Sequence, residues 1–155
     1  MHLYFLRHGE ASWPDWKKPD DERPLTSRGK EEIRKLARFL QGLDLQLDRI
    51  MTSPLPRSRQ TAEIVADKLK LKLHEDSSLE PGFDSKALRK ILRKYPGERV
   101  MLVGHEPDFT QTISTLTGAS LKLSKAGLAL IELNPKSMSA RLLWLFPPKV
   151  AKAAF

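Results

Sequence analysis

Arg7 and His8 stand at the end of a short apolar run, Leu3-Tyr4-Phe5-Leu6, and Gly9 and Glu10 follow directly. An imidazole beside a guanidinium suits phosphoryl chemistry. Arg is permanently cationic and offers a planar fork of donors to phosphate oxygens, and neutral His is able to form a covalent intermediate. Gly9 is expected to let the backbone turn sharply and approach a ligand closely. Two more apolar runs end in residues of the same chemical kind. Ile50-Met51 leads to Ser53-Pro54-Leu55-Pro56-Arg57, and Val100–Val103 leads to Gly104-His105-Glu106-Pro107. If the three runs are neighbouring parallel strands, their carboxyl ends share one edge of a sheet. Two His and two Arg, distant in sequence, then meet in one pocket.

The segments between these runs support that arrangement. Four stretches carry apolar residues at helical spacing: Ile33, Leu36, Ala37 and Leu40; Ala62, Val65, Ala66 and Leu69; Leu88, Ile91, Leu92 and Tyr95; Phe109, Thr112, Ile113 and Leu116. Thr26 or Ser27 caps the first, Ser53-Pro54 starts the second, and Gly118 ends the fourth. A short strand is expected near Lys70–His74. Gly127–Leu133 and Ala140–Phe146 flank Asn134-Pro135-Lys136-Ser137 and predict an antiparallel hairpin closing one sheet edge. The alternation predicts a three-layer α/β/α fold with a mainly parallel sheet and an antiparallel edge, its ligands gathering beyond the carboxyl ends of the strands. Residues Ala11–Pro24, rich in Pro, Asp and Trp, read as a loop beside Arg-His-Gly, a candidate rim or lid.

At 155 residues and 40% hydrophobic content, the chain is expected to form one domain, spanning 1–155, with one well-buried core. It has no cysteine, which removes disulfide frameworks, thiolate metal sites and the cysteine-dependent phosphatase mechanism. No apolar stretch is long enough to span a membrane, and no signal segment precedes the first strand, so a cytoplasmic protein with no membrane association is expected. The net charge of +8 favours anionic partners. Because the charges are interspersed, as in Arg89-Lys90-Ile91-Leu92-Arg93-Lys94, they read as solvated helix faces rather than a nucleic-acid stripe. The four His residues, without Cys or a dense carboxylate cluster, match no usual ligand spacing, so no metal and no cofactor is expected.

Four elements in order resemble the histidine phosphatase (phosphoglycerate mutase-like) superfamily, and within it the small SixA-type phosphohistidine phosphatase branch. They are Leu6-Arg7-His8-Gly9-Glu10, Pro24-Leu25-Thr26-Ser27-Arg28-Gly29, Thr52 through Ala62, and Val103-Gly104-His105-Glu106-Pro107. The resemblance implies a phosphoglycerate mutase-like fold in which His8 attacks phosphorus and carries the phosphoryl group, while Arg7, Arg57 and His105 clasp its oxygens. The residue types make sense, since a transferring phosphoryl group spreads charge over three oxygens and is stabilised mainly by preorganised donors. For His8 to attack, one ring nitrogen must be unprotonated, which calls for the other to donate to a backbone carbonyl. Arg57 near a helix start would also bring free N–H groups and the positive dipole end toward the anion. Arg59 lies about 200° around that helix and is expected to face elsewhere.

In the wider superfamily an acidic residue ahead of the second His protonates the leaving group. Leu79-Glu80-Pro81-Gly82-Phe83-Asp84 does not reproduce that motif cleanly, leaving Glu80 and Asp84 as candidates. A weak acid suits a phosphoramidate, whose imidazole leaves more readily than an alkoxide. With little chain for pocket walls, an open site is expected, one that admits phosphohistidine displayed on a protein. The alternatives are a phosphomonoesterase of the same superfamily acting on a small phosphorylated molecule, and a non-catalytic phosphate-binding module. Glu10 and Glu106 are candidates for orienting ligands, and Trp13 and Trp16 either touch substrate or pin their loop.

Overall fold

The computed structural model describes residues 1–154, so Phe155 lies outside the described residues. Six strands form one sheet: β1 (His2–Arg7), β2 (Arg49–Thr52), β3 (Leu73–Glu75), β4 (Arg99–Gly104), β5 (Leu128–Asn134) and β6 (Ser139–Phe146). Their order across the sheet is β3-β2-β4-β1-β5-β6. The first four are parallel, while β5 and β6 run antiparallel as a hairpin at the edge. Among the described residues five α-helices accompany them: α1 (Ser27–Leu43), α2 (Pro56–Leu69), α3 (Ser85–Lys94), α4 (Asp108–Thr117) and α5 (Pro148–Ala154).

Alternation along the buried strands builds the two outer layers. Tyr4, Leu6, Met101 and Val103 point to the face covered by α1, α2 and α5, where Ile33, Leu36, Leu40, Ala62 and Val65 meet them. Leu3, Phe5, Val100 and Leu102 point the other way, onto Leu88 and Ile91 of α3 and Phe109 and Ile113 of α4. Strands buried on both faces need near-continuous apolar runs, which is why β1 and β4 were so plain in the sequence.

Boundaries depart from expectation in two places. Helix α2 starts at Pro56 after a Leu55 cap, and Ser53-Pro54 lies before it. A residue preceding proline is pushed to extended backbone, and Leu55, at ψ 137°, obeys. Strand β3 is Leu73–Glu75 rather than Lys70–His74, because Lys70 ends α2 in the left-handed conformation (φ 57°). Thr26 caps α1 by accepting from the Gly29 N–H, as the first of the two expected candidates.

Gly29 is also where the chain after His8 crosses α1. A Cβ there would lie 2.3 Å from the Glu10 carbonyl oxygen, a backbone atom with nowhere to go. Gly29→Ala is expected to destabilise the protein by about 3 kcal/mol, the upper range for overpacking, read as a lower urea midpoint with an unchanged slope.

Candidate active site

The sheet register fixes where the candidate residues emerge. Arg7 pairs with Gly104 across β1 and β4, and Thr52 pairs with Val103 across β2 and β4. Just past these pairs the ladder continues: the His8 N–H donates to the Gly104 carbonyl at 3.1 Å and the Ser53 N–H to the Val103 carbonyl at 3.2 Å. His8, Ser53 and His105 therefore leave three adjacent strands at one level. The rings of His8 and His105 stand 5.4 Å apart. Arg57, in the first turn of α2, is buried against them at 5% exposure. Arg7, at the end of β1, sends Nη1 to the Leu123 carbonyl at 3.1 Å.

The tautomer of His8 is set locally. Its Nδ1 lies 2.8 Å from the Gly9 carbonyl, which can only accept, so Nδ1 carries the hydrogen and Nε2 keeps its lone pair. Burial pushes the pKa of His8 down to about 3, the Gly9 hydrogen bond opposes that, and the charges of His105, Arg57 and Arg7 push the same way as burial. His105 is lowered to about 4, by burial first and then by Arg57, against a smaller opposing effect of Asp20. Both rings are neutral at physiological pH. His105 Nε2 sits 2.8 Å from Ser53 Oγ. Ser53 Oγ also accepts from the Leu55 N–H at 3.2 Å, and with the hydroxyl hydrogen directed to Nε2 the His105 Nδ1 is a donor.

Among the described residues, the buried side-chain nitrogens without a protein partner are Arg7 Nε, Arg49 Nε, Arg57 Nε and His105 Nδ1. Three of these four belong to the cluster. Native proteins pair nearly all buried donors, so a convergence of unpaired ones marks a place built for an acceptor from outside the chain.

Several candidates do other work. Gly9 does not offer its N–H to a ligand, since that group donates to Thr61 Oγ1 at 3.1 Å. A Cβ on Gly9 would come within 2.9 Å of Ile33, so its bareness serves packing against α1. Asp84 is exposed and caps α3, accepting from the Ala87 N–H at 2.9 Å. Glu80 is half-buried and, among the described residues, its carboxyl makes no hydrogen bond or ion pair. Glu106 is spent on the first turn of α4, holding the Thr110 N–H and hydroxyl, and Glu10 lies 3.7 Å from Arg28. Trp13 and Trp16 donate to the Pro24 and Pro19 carbonyls, so both pin their own loop. Arg59 turns away to Glu63 and Glu75.

The sequence reading missed Asp20. Its carbonyl accepts from Arg57 Nη1 at 2.9 Å and its carboxylate lies 3.4 Å from Nη2, so the Ala11–Pro24 loop reaches over the cluster. Arg23 bonds the same carboxylate at 2.9 Å and holds its pKa below the usual range, so Asp20 is ionised. Ser53 and Thr61 were also missed, although both sit beside residues that were singled out.

A neutral histidine with an open lone pair, beside buried guanidinium groups at the carboxyl edge of a parallel sheet, has the chemistry to receive a phosphoryl or similar oxyanion group. The chain belongs to the histidine phosphatase superfamily (branch 1), whose family model matches residues 3–80. It is 38% identical over 137 residues to an uncharacterized protein of Picosynechococcus sp., covering 83% of this chain and 82% of that one. It is also 38% identical to phosphohistidine phosphatase SixA of Escherichia coli over 71 residues, 46% of this chain and 43% of that one. A solved structure of protein histidine phosphatase SixA complexed with tungstate superposes with a TM-score of 0.85 at 26% identity, covering 97% of this chain and 99% of that one. A phosphorylated substrate follows from the family. Among the described residues no helix is long and apolar enough to cross a membrane.

Proposed function

We propose that this protein is a metal-independent phosphatase that hydrolyses phosphohistidine on a protein substrate through a phospho-His8 intermediate. The observation that carries this reading is the pairing of a free His8 Nε2 lone pair with the unpaired donors of Arg7, Arg57 and His105. His8 Nε2 forms a bond to phosphorus as the substrate P–N bond breaks. The electron pair goes to the departing ring nitrogen, and with a hydrogen on its other nitrogen that ring leaves as neutral imidazole. Water then attacks the phosphorus of phospho-His8, releasing inorganic phosphate and restoring His8. Two guanidiniums supply the positive charge that the transferring group requires, and the neutral His105 ring adds a hydrogen-bond donor. The tungstate bound by the SixA relative is an oxyanion of similar shape, in keeping with this use of the pocket.

Preference for a phosphoramidate rests on the acids. Asp84 is engaged as a helix cap and Asp20 is kept ionised, so neither is a ready proton donor. An alkyl phosphate needs such a donor far more than phosphohistidine does. A second reading, a phosphomonoesterase acting on a small molecule, is favoured by one observation, the unengaged carboxyl of Glu80. Turnover of phosphohistidine and of an alkyl phosphate, compared in the wild type and in Glu80→Gln with chelator present, separates them. The expected result is a phosphohistidine preference of about 10²-fold or more, the usual worth of a missing general acid, unaffected by the substitution. Comparable turnover of the alkyl phosphate, lost in Glu80→Gln, would establish the monoesterase instead.

A further inference from the structure

Helix α3 has the sequence Ser-Lys-Ala-Leu-Arg-Lys-Ile-Leu-Arg-Lys, with five cations and no acid. Lys86, Arg89, Lys90 and Arg93 are all exposed and fall within an arc of about 100° by the helical repeat. The opposite side of the helix, Leu88 and Ile91, is buried in the core. Lys94 pairs with Asp76 at 3.7 Å, but among the described residues the other four cations have no ion-pair partner. The face is solvated, as expected for the segment, and carries a single sign of charge. Cations at i, i+3 and i, i+4 repel one another and work against the helix, a cost that the helix dipole offsets only at Arg93 in the last turn.

Its position gives that cost a use. The start of α3 is tied to the start of α4, through the Gly82 N–H on Asp108 at 2.8 Å and the packing of Phe83 on Phe109. Helix α4 begins three residues after His105, so the basic face runs away from the mouth of the site for about 15 Å, the length of ten helical residues. We propose that this face docks an acidic protein surface beside the pocket, so that a phosphoryl group carried on that protein is presented to His8. The proposal rests on the phosphoprotein reading above and adds which surface recognises the partner and of what charge. A folded acidic protein fits better than single-stranded nucleic acid, because no exposed aromatic interleaves the α3 cations to stack bases. A cationic face of this kind acts chiefly on encounter rate and weakly on the chemistry.

The test reverses the face with Lys86→Glu, Arg89→Glu, Lys90→Glu and Arg93→Glu together, with the four-fold Gln variant as a gentler version. Lys35→Glu with Lys68→Glu, on the other side of the sheet, is the control. Four measurements are made on each: turnover of free phosphohistidine, turnover of a strongly acidic helical domain phosphorylated on histidine with phosphoramidate, binding of that domain unphosphorylated, and binding of an RNA oligonucleotide and of anionic vesicles. The expected result is a fall of about tenfold or more in kcat/KM and in affinity for the acidic domain, in the α3 variants only, with free phosphohistidine unchanged. The effect should shrink as salt shortens the screening length toward about 3 Å near 1 M. Equal binding and turnover of the domain by wild type and α3 variants overturns the docking surface. So does loss confined to an RNA oligonucleotide or to anionic vesicles. Absence of phosphohistidine turnover in every variant, with α3-dependent binding retained, overturns the catalytic reading and leaves the surface standing.

Discussion

His8→Ala is expected to remove turnover of every phosphorylated substrate, by a factor on the order of 10⁴ or more, while the protein stays folded. Only His8 combines a free ring nitrogen with a fixed tautomer at the mouth of the donor cluster. His105 has Nε2 held by Ser53 Oγ and Nδ1 buried, so neither of its ring nitrogens stands open in the same way. Loss of a nucleophile leaves only positioning and electrostatics, which explains the size of the effect. Arg57→Ala should cost less, about 10²- to 10³-fold in kcat, the scale for one preorganised donor. The two variants differ in kind as well as degree. Rapid acid-free quenching should trap a phosphoryl adduct on the wild type and, more slowly formed, on Arg57→Ala, and none on His8→Ala. An adduct on His8→Ala, or turnover within tenfold of wild type, would mean that another group attacks phosphorus.

What the sequence reveals of this site follows from how each residue is positioned. His8, Ser53 and His105 are placed by strand register, and register is legible because β1, β2 and β4 are apolar runs with polar residues directly after them. Ser53 was visible as part of the second strand end, and a hydroxyl level with His105 on the adjacent strand is the signal that could have found it. Asp20 is placed differently. It reaches Arg57 from a loop held by Trp13, Trp16 and Arg23 through contacts to the backbone of that loop, and such contacts leave no periodic trace in the sequence. The misplaced start of α2 reflects two closely spaced prolines, either of which fits a first helical position, and only the constraint on Leu55 decides between them. The shift of β3 has a similar origin, since Lys70 takes a left-handed conformation that glycine would have advertised. Helix α5 was not foreseen, although Ala151 is buried in the core and Lys152 reaches Glu32 of α1 at 3.1 Å.

The two lowered imidazoles also govern acid stability. In the unfolded chain each takes a proton near pH 6.5, whereas the fold refuses it until about pH 3 for His8 and about pH 4 for His105. Between these limits the unfolded state binds more protons, so stability is greatest above pH 6.5 and falls as the pH drops. Each histidine contributes a slope of about 1.4 kcal/mol per pH unit, and together they lower stability by about 5 kcal/mol between pH 6.5 and 4.5. That is the whole stability of a marginal domain, so acid unfolding is expected near pH 4 to 5. The carboxylates held low, Asp20, Asp48 and Asp76, stay ionised through this window and add their losses only below it. Urea unfolding at a series of pH values should show this slope in the wild type and about half of it in His8→Asn or His105→Asn. Above the unfolding range kcat/KM should stay flat toward acid, because His8 Nε2 remains unprotonated. A slope unchanged in His8→Asn would mean that the folded protein accepts a proton on this ring near pH 6. The ring would then lack a free lone pair under mildly acidic conditions, and the activity should fall with it.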